Sequence, residues 1–238
     1  MLFRSIAGAF GLAAVTVLND FEALARSLPS LTADDVRKVG GGTPVANAPM
    51  AVLGPGTGFG LAALACGAHD EIVLVTEGGH ATLAAETARD EAVVGVLRRS
   101  LGHVSIERAL SGNGLAALCA AVAEIDGRSA AADDPAGIVE HALTGTCPTC
   151  VAALDLFCEW LGAVAGNIAL TLGARGGVFI GGGMVPRFVD VLERSRFRAR
   201  FEGKGRLAGY LAAIPTAAII HPQPTFLGLA RLLSQPAR

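Results

Sequence analysis

Short aliphatic and β-branched runs alternate along this chain with longer stretches whose apolar residues recur at helical spacing. The short runs predict strands over residues 14–18 (AVTVL), 50–53 (MAVL), 72–75 (IVLV), 177–180 (GVFI) and 217–221 (AAIIH), each bounded by glycine, proline or a polar pair. A short helix ends near Gly11, and another opens at Asp20 with FEALARSL and is closed by Pro29. Further helices are predicted after Thr32 (ADDVRKV, closed by Gly40), over 61–68, and after Ser105 (IERAL). The remainder run over 113–124, 135–143, 151–172, 186–201 and 204–213. Gly162 and Gly166 interrupt the longest of these, where another backbone can approach closely. Strand and helix in alternation point to an α/β fold with a helix-rich middle.

Composition narrows the classes. Of 238 residues, 52% are hydrophobic, only 17% are charged and 31 are glycine, a profile of a packed α/β protein rather than a disordered one. A net charge of −2 gives no electrostatic case for nucleic acid, and 10 Phe with one Trp and one Tyr are too few for base-stacking platforms. Asp155 and Glu159 interrupt the longest candidate for a membrane span, so no membrane partner is expected. After Arg4, residues 5–18 have the length of a signal-peptide core. However, Asn19 and Asp20 follow without a small-x-small cleavage site, and a cytoplasmic location is the expectation. Five cysteines are an odd count and read as reduced thiols. Cys147-Pro-Thr-Cys150 is half a zinc site with His141 upstream, but no second ligand pair follows it. The expectation is no metal and two buried thiols at a helix start.

Four places carry candidate chemistry. Asn19 and Asp20 form a polar pair at the mouth of an apolar run. Gly54-Pro-Gly-Thr-Gly-Phe-Gly60 follows a strand directly, and its glycines free backbone N–H groups to converge on a phosphate oxygen, with Thr57 adding a hydroxyl. No Gly-Lys-Ser/Thr follows, so this is not a Walker A loop. Gly58-x-Gly60-x-x-Ala63, with Glu77 ending the next strand, partly matches a dinucleotide fingerprint. A nicotinamide site and a purely structural turn therefore both remain open. Glu77-Gly-Gly-His80 sets an acid and an imidazole either side of a flexible pair, either around a small polar ligand or as a solvated turn. Glu107 fits a helix's first turn on dipole grounds alone. Gly181-Gly-Gly-Met-Val-Pro186 repeats the strand–glycine–helix layout, which favours a nucleotide.

Taken in order, VLNDFEALA (17–25), GPGTGFGLA (54–62), TEGGHA (76–81), GHVSIERALSG (102–112) and GGVFIGGGMVPRF (176–188) resemble the bacterial glucokinases. The likeness continues through CPTC, FRARFEGKGR (197–206) and AAIIHPQPTFLG (217–228), and so covers essentially the whole chain. The resemblance implies an actin/hexokinase-like (ribonuclease-H-like) α/β fold, ATP and Mg²⁺ as cofactors, and glucose as substrate. Asp20 would be the general base toward the sugar's 6-hydroxyl, with Asn19, Glu77, His80 and Glu107 binding hydroxyls. Gly56, Thr57 and Gly58 would hold phosphate, and Gly181, Gly182 and Gly183 the adenosine side. Residues 21–213 would form the large sugar- and nucleotide-binding domain, and 1–20 with 214–238 remnants of a small lobe. Homodimerisation is left open.

Glucokinases also carry an early Asp-x-Gly-Gly-Thr loop for the β- and γ-phosphates and Mg²⁺. Gly41-Gly42-Thr43 has its core, but Lys38, Val39 and Gly40 precede it and it follows Asp20, so it is no substitute. The expectation is a glucokinase chain without most of its first lobe, through deletion, a misassigned start or a fragmentary gene. The alternative is a catalytically impaired remnant that still binds sugar, and a nicotinamide oxidoreductase is the remoter reading.

Overall fold

The computed structural model describes residues 2–13, 15–67 and 71–234. Its centre is a sheet of β1 (Val36–Gly40), β2 (Met50–Pro55), β3 (Phe59–Cys66), β4 (Glu71–Thr76), β5 (Gly177–Ile180) and β6 (Thr216–Ile219). The spatial order is β1-β6-β5-β2-β3-β4. β2, β3 and β4 form an antiparallel meander, while β5 runs parallel to β2 and β6 parallel to β5. An antiparallel triplet extended by two parallel strands is the ribonuclease-H-like arrangement of the actin/hexokinase fold, here with β1 added antiparallel at one edge.

The helices are α1 (Leu2–Phe10), α2 (Asp20–Ser27), α3 (Ala88–Leu101), α4 (Ile106–Ala109), α5 (Gly112–Asp126), α6 (Pro135–Leu143), α7 (Pro148–Leu172), α8 (Val189–Arg194), α9 (Phe197–Glu202), α10 (Ala208–Ala212) and α11 (Pro224–Leu233). The period-2 alternation of the strands sorts their side chains into two cores. Val52, Ala62 and Ile219 meet Leu24, Ala25 and Leu28 of the α2 side. Ala51, Leu53, Leu61, Val178 and Ile180 face the larger core built around Phe157, Trp160 and Phe188. The result is a three-layer sandwich, with α11 laid across α2 on one side. Close approach there is possible because Gly228 faces the Ala23 carbonyl. Gly162 and Gly166 of α7 likewise sit against the Phe197 and Phe201 carbonyls, where the sequence placed a close neighbour. α7 is long and apolar enough to cross a membrane, but 78% of its most apolar stretch is buried inside the fold.

Several elements depart from expectation. The run predicted as a helix over 61–68 is β3, with Ala68 outside the described residues. Its alanines and leucines favour a helix locally, but strands on both sides supply ladder partners that override propensity. After Thr32 only a single turn of 3₁₀ helix forms, Ala33–Asp35, before the chain extends as β1. The helix predicted over 186–201 breaks at Ser195 into α8 and α9, and that over 204–213 shortens to α10 behind a 3₁₀ turn. Residues 15–18 are not a strand, while Ala14 lies outside the described residues. An apolar run without a paired neighbour has no ladder to join. The run predicted over 217–221 is met by β6, which lies between β1 and β5 inside the one sheet.

Candidate active site

The site begins at the entry to α2. Asn19 is the N-cap, its Oδ1 accepting from the N–H of Phe21 at 2.9 Å and of Glu22 at 3.3 Å. Asp20 therefore becomes the first helical residue. Its carboxylate sits at the positive end of the helix and accepts from the Phe21 N–H at 2.9 Å. The Asn19 carboxamide oxygen is committed to the cap, which leaves its NH₂ group to donate to a ligand.

Asp20 stands on the rim between two cavities. The first, of about 270 Å³, is lined by Asn19, Asp20, Gly56, Thr57, Gly58 and Glu77. The second, of about 510 Å³, is lined by Asp20, Gly181, Gly182, Gly183, His221 and Thr225 among others. A third, of about 400 Å³, opens between Gly56, Thr57, Asn113, Val139, Gly183 and Arg187. Thr57 thus faces both the first and third hollows, and Gly183 both the second and third.

The Gly54–Gly60 segment is the β2–β3 hairpin, closed by the Gly56 N–H donating to the Gly58 carbonyl at 2.8 Å. A hairpin is not the strand–turn–helix that a dinucleotide fingerprint requires, and this removes the nicotinamide reading of Gly58-x-Gly60-x-x-Ala63. The hairpin leans on two neighbours. The Gly112 N–H, at the start of α5, donates to the Gly56 carbonyl at 3.0 Å. A Cβ on Gly54 would overlap the Gly181 carbonyl, and one on Gly182, whose φ is +91°, would overlap the Pro55 carbonyl. The two glycine turns are packed backbone to backbone, which is why side chains are excluded from both.

Glu77 directly follows β4, and His80 lies one tight turn further on, with Nε2 3.8 Å from the Glu77 carboxylate. Both side chains are open to solvent. The following residues are pinned to the segment before α4 by the Ile106 N–H donating to the Ala81 carbonyl (2.9 Å) and the Leu83 N–H to that of Val104 (3.0 Å). Ser105 then caps α4, and Glu107 in its first turn reaches back so that Oε2 accepts from the Phe59 N–H at 3.0 Å. Asn19, Asp20, Thr57 and Glu77 therefore share one cavity, and His80 stands beside Glu77. Glu107 lies on the far side of Gly58, lining a smaller hollow with Thr57 and Asn113.

Sequence reasoning passed over Asn113, Arg187 and His221. Arg187 follows the Gly181–Gly183 turn and His221 follows β6, while Asn113 lies in the first turn of α5. Ligands collect outside strand ends, so position alone could have flagged Arg187 and His221. Among the described residues no three His, Cys, Asp or Glu side chains cluster as metal ligands. His141 bonds Thr146 at 2.8 Å instead of joining the cysteines.

Comparison with known proteins decides the family. The glucokinase family model matches residues 3–236. The chain belongs to the glucokinase family. The glucokinase of Paramagnetospirillum magneticum is 49% identical over 229 residues, covering 96% of this chain and 71% of that relative. The glucokinase of Aromatoleum aromaticum is 49% identical over 223 residues, or 94% and 67% of the two chains. The crystal structure of a glucokinase from an Antarctic psychrotroph superposes with a TM-score of 0.90 at 40% identity, covering 97% of this chain and 71% of that one. A more distant glucokinase from Streptomyces griseus, solved with glucose and AMPPNP, shares the fold at 19% identity and a TM-score of 0.62.

Proposed function

We propose that this glucokinase-family chain transfers the γ-phosphoryl group of ATP to the 6-hydroxyl of D-glucose. The observation that carries the reading is the position of Asp20, on the rim between a cavity lined by amide, hydroxyl and carboxylate groups and one lined by a glycine turn. A sugar presents several hydroxyls that both donate and accept, which suits the Asn19 NH₂ group and the Glu77 carboxylate, with His80 at the margin. The glycine hairpin and the 181–183 turn offer backbone N–H groups and little bulk, which suits phosphates and the nucleoside beyond them. Asp20 accepts the proton of the 6-hydroxyl as that oxygen attacks phosphorus, and ADP leaves with the electrons of the broken P–O bond. Among the described residues no cluster of three His, Cys, Asp or Glu side chains forms a resident metal site. Mg²⁺ is read as arriving on the nucleotide, held mainly by phosphate oxygens. Positioning supplies much of the rate in such transfers, and the interlocked turns provide it.

The test is formation of glucose 6-phosphate in a coupled assay, on the unmutated chain and on Asp20→Asn. The expected loss in kcat is about 10²–10⁴-fold, with the KM for ATP little changed. Equal kcat values would remove Asp20 from its role. Absence of product from the unmutated chain would overturn catalysis, and glucose-dependent thermal stabilisation would then leave sugar binding alone.

A further inference from the structure

The CPTC segment has no part in the phosphoryl-transfer reading, yet its geometry is that of a working dithiol. Cys147 is the N-cap of the 25-residue α7, and its Sγ accepts from the Cys150 N–H at 3.2 Å. The Cys147 sulfur thus lies over the first turn of α7, which carries Cys150, and Cys119 of α5 belongs to the same core cluster. The three differ in access. Cys147 keeps 4% of its surface and is flanked by exposed Thr146 and Pro148, while Cys150 and Cys119 are closed off behind it. Their acidities also diverge. Burial pushes the Cys147 thiol up, but hydrogen bonds from the Cys150 side chain and from the backbone of Cys150, Ala131 and Thr149 outweigh it and hold it below its usual value. Burial, followed by the bond to Cys147, pushes Cys150 up. Burial, followed by the neighbouring cysteines, pushes Cys119 up to about 12. The thiol nearer the surface, on the helix cap, is the more acidic of the two and its partner one turn on is fully closed off, which is the division of labour of Cys-x-x-Cys redox pairs.

We propose that Cys147 and Cys150 form a hydroperoxide-oxidisable dithiol, Cys147 attacking and Cys150 resolving. The Cys147 thiolate attacks one peroxide oxygen and the O–O bond breaks. The departing hydroxide takes up a proton as water, leaving a sulfenic acid on Cys147. The Cys150 sulfur then attacks the Cys147 sulfur, the S–O bond breaks, and the hydroxyl leaves with the thiol proton as a second water. Two thiols lose two electrons and the peroxide gains them. α7, which carries the pair, packs on α5 and α6, and those two helices supply Asn113, Pro135 and Val139 to the third cavity.

The test exposes the reduced full chain to hydrogen peroxide, blocks remaining thiols with N-ethylmaleimide and maps the peptides by mass. Fully buried Cys158 serves as internal reference. The expected result is a Cys147–Cys150 disulfide, lighter by two hydrogens, forming at least about tenfold faster than any oxidation of Cys158. Cys150→Ser is expected to trap a dimedone-reactive sulfenic acid at Cys147, and Cys147→Ser to protect Cys150. Oxidation of Cys147 no faster than that of Cys158, or a disulfide that uses Cys119 in place of Cys147, would overturn the proposal. Mapping of the unmutated chain decides the matter even if a serine variant does not fold, and none of these readouts depends on kinase activity.

Discussion

Replacing Asp90 by alanine removes a carboxylate only 1% exposed that ties three helices together. Asp90 accepts from Trp160 Nε1 of α7 at 2.8 Å and from the N–H groups of Glu86 at 3.0 Å and Thr87 at 2.9 Å. It also pairs with Arg200 of α9. It is the acidic half of the capping box that starts α3. Truncation leaves Arg200 buried, with Glu86 at 3.7 Å and Glu159 at 3.6 Å, both beyond good hydrogen-bond range. Its Nε, the atom nearest Glu159, already lacks a hydrogen-bond partner among the described residues. Orphaning one member of a buried pair costs about 3–5 kcal/mol. A lost cap adds about 1 kcal/mol, and the two effects overlap, so about 4–5 kcal/mol is expected. The assay is urea unfolding at pH 7 followed by far-ultraviolet circular dichroism, with fluorescence of the single tryptophan as second probe. Adding Arg200→Met to Asp90→Ala removes the stranded cation and is expected to restore about 2 kcal/mol. A cost under about 1 kcal/mol for Asp90→Ala, or no recovery in the double variant, would refute the reasoning.

The same carboxylate sets a pH dependence. Burial pushes Asp90 up, but the bonds from Arg200, Trp160 and the Glu86 backbone win and hold it below its ordinary 3.8. The unfolded chain therefore takes up this proton first on acidification. Its contribution is complete above 3.8 and is lost as pH falls through the lower folded value, which Asp90→Asn is expected to flatten in acid titrations of stability. Gly54→Ala forces a Cβ onto the Gly181 carbonyl, and a loss of about 1–3 kcal/mol in thermal unfolding is expected, with a raised KM for ATP. Asn19→Ala loses the α2 cap and about 1 kcal/mol. Asn19→Ser keeps a capping oxygen and is expected to recover that stability but not the glucose KM, because the NH₂ donor is gone in both.

What could be read from the chain was whatever local chemistry decides. Gly177–Ile180 and Pro135–Leu143 coincide with their predicted bounds, since a β-branched run between glycines and a capped proline start leave little choice. α3 was missed although Thr87-Ala-Arg-Asp90 is a capping box in plain view, because Val93, Val94, Gly95 and Val96 are poor helix formers locally. β3 was misread because its residues prefer a helix and only β2 and β4 make it extended. The site followed the same division. Asn19 and Asp20 were visible as a polar pair ending an apolar run. That Asn19 spends its oxygen on the helix is a local capping bond, whereas Glu107 reaching the hairpin from the far side of Gly58 depends on a contact across 48 residues of chain.

The two glycine turns make a stronger argument together than apart. Each alone can be dismissed as a tight turn, but Gly54 faces Gly181 and Gly182 faces Pro55, so neither turn can move without the other. Asp20 touches the cavity on the hairpin side and the cavity on the 181–183 side, while Gly183 and Thr57 meet again across the third. On the proposed reading, a base at a helix start, between two turns that brace each other, would be held in register with the phosphate. Phosphoryl transfer asks little more of a protein than that register. A side chain inserted at Gly54 should therefore disturb kcat and the KM for ATP together. A substitution at Glu77, on the open side of the first cavity, should disturb only the KM for glucose.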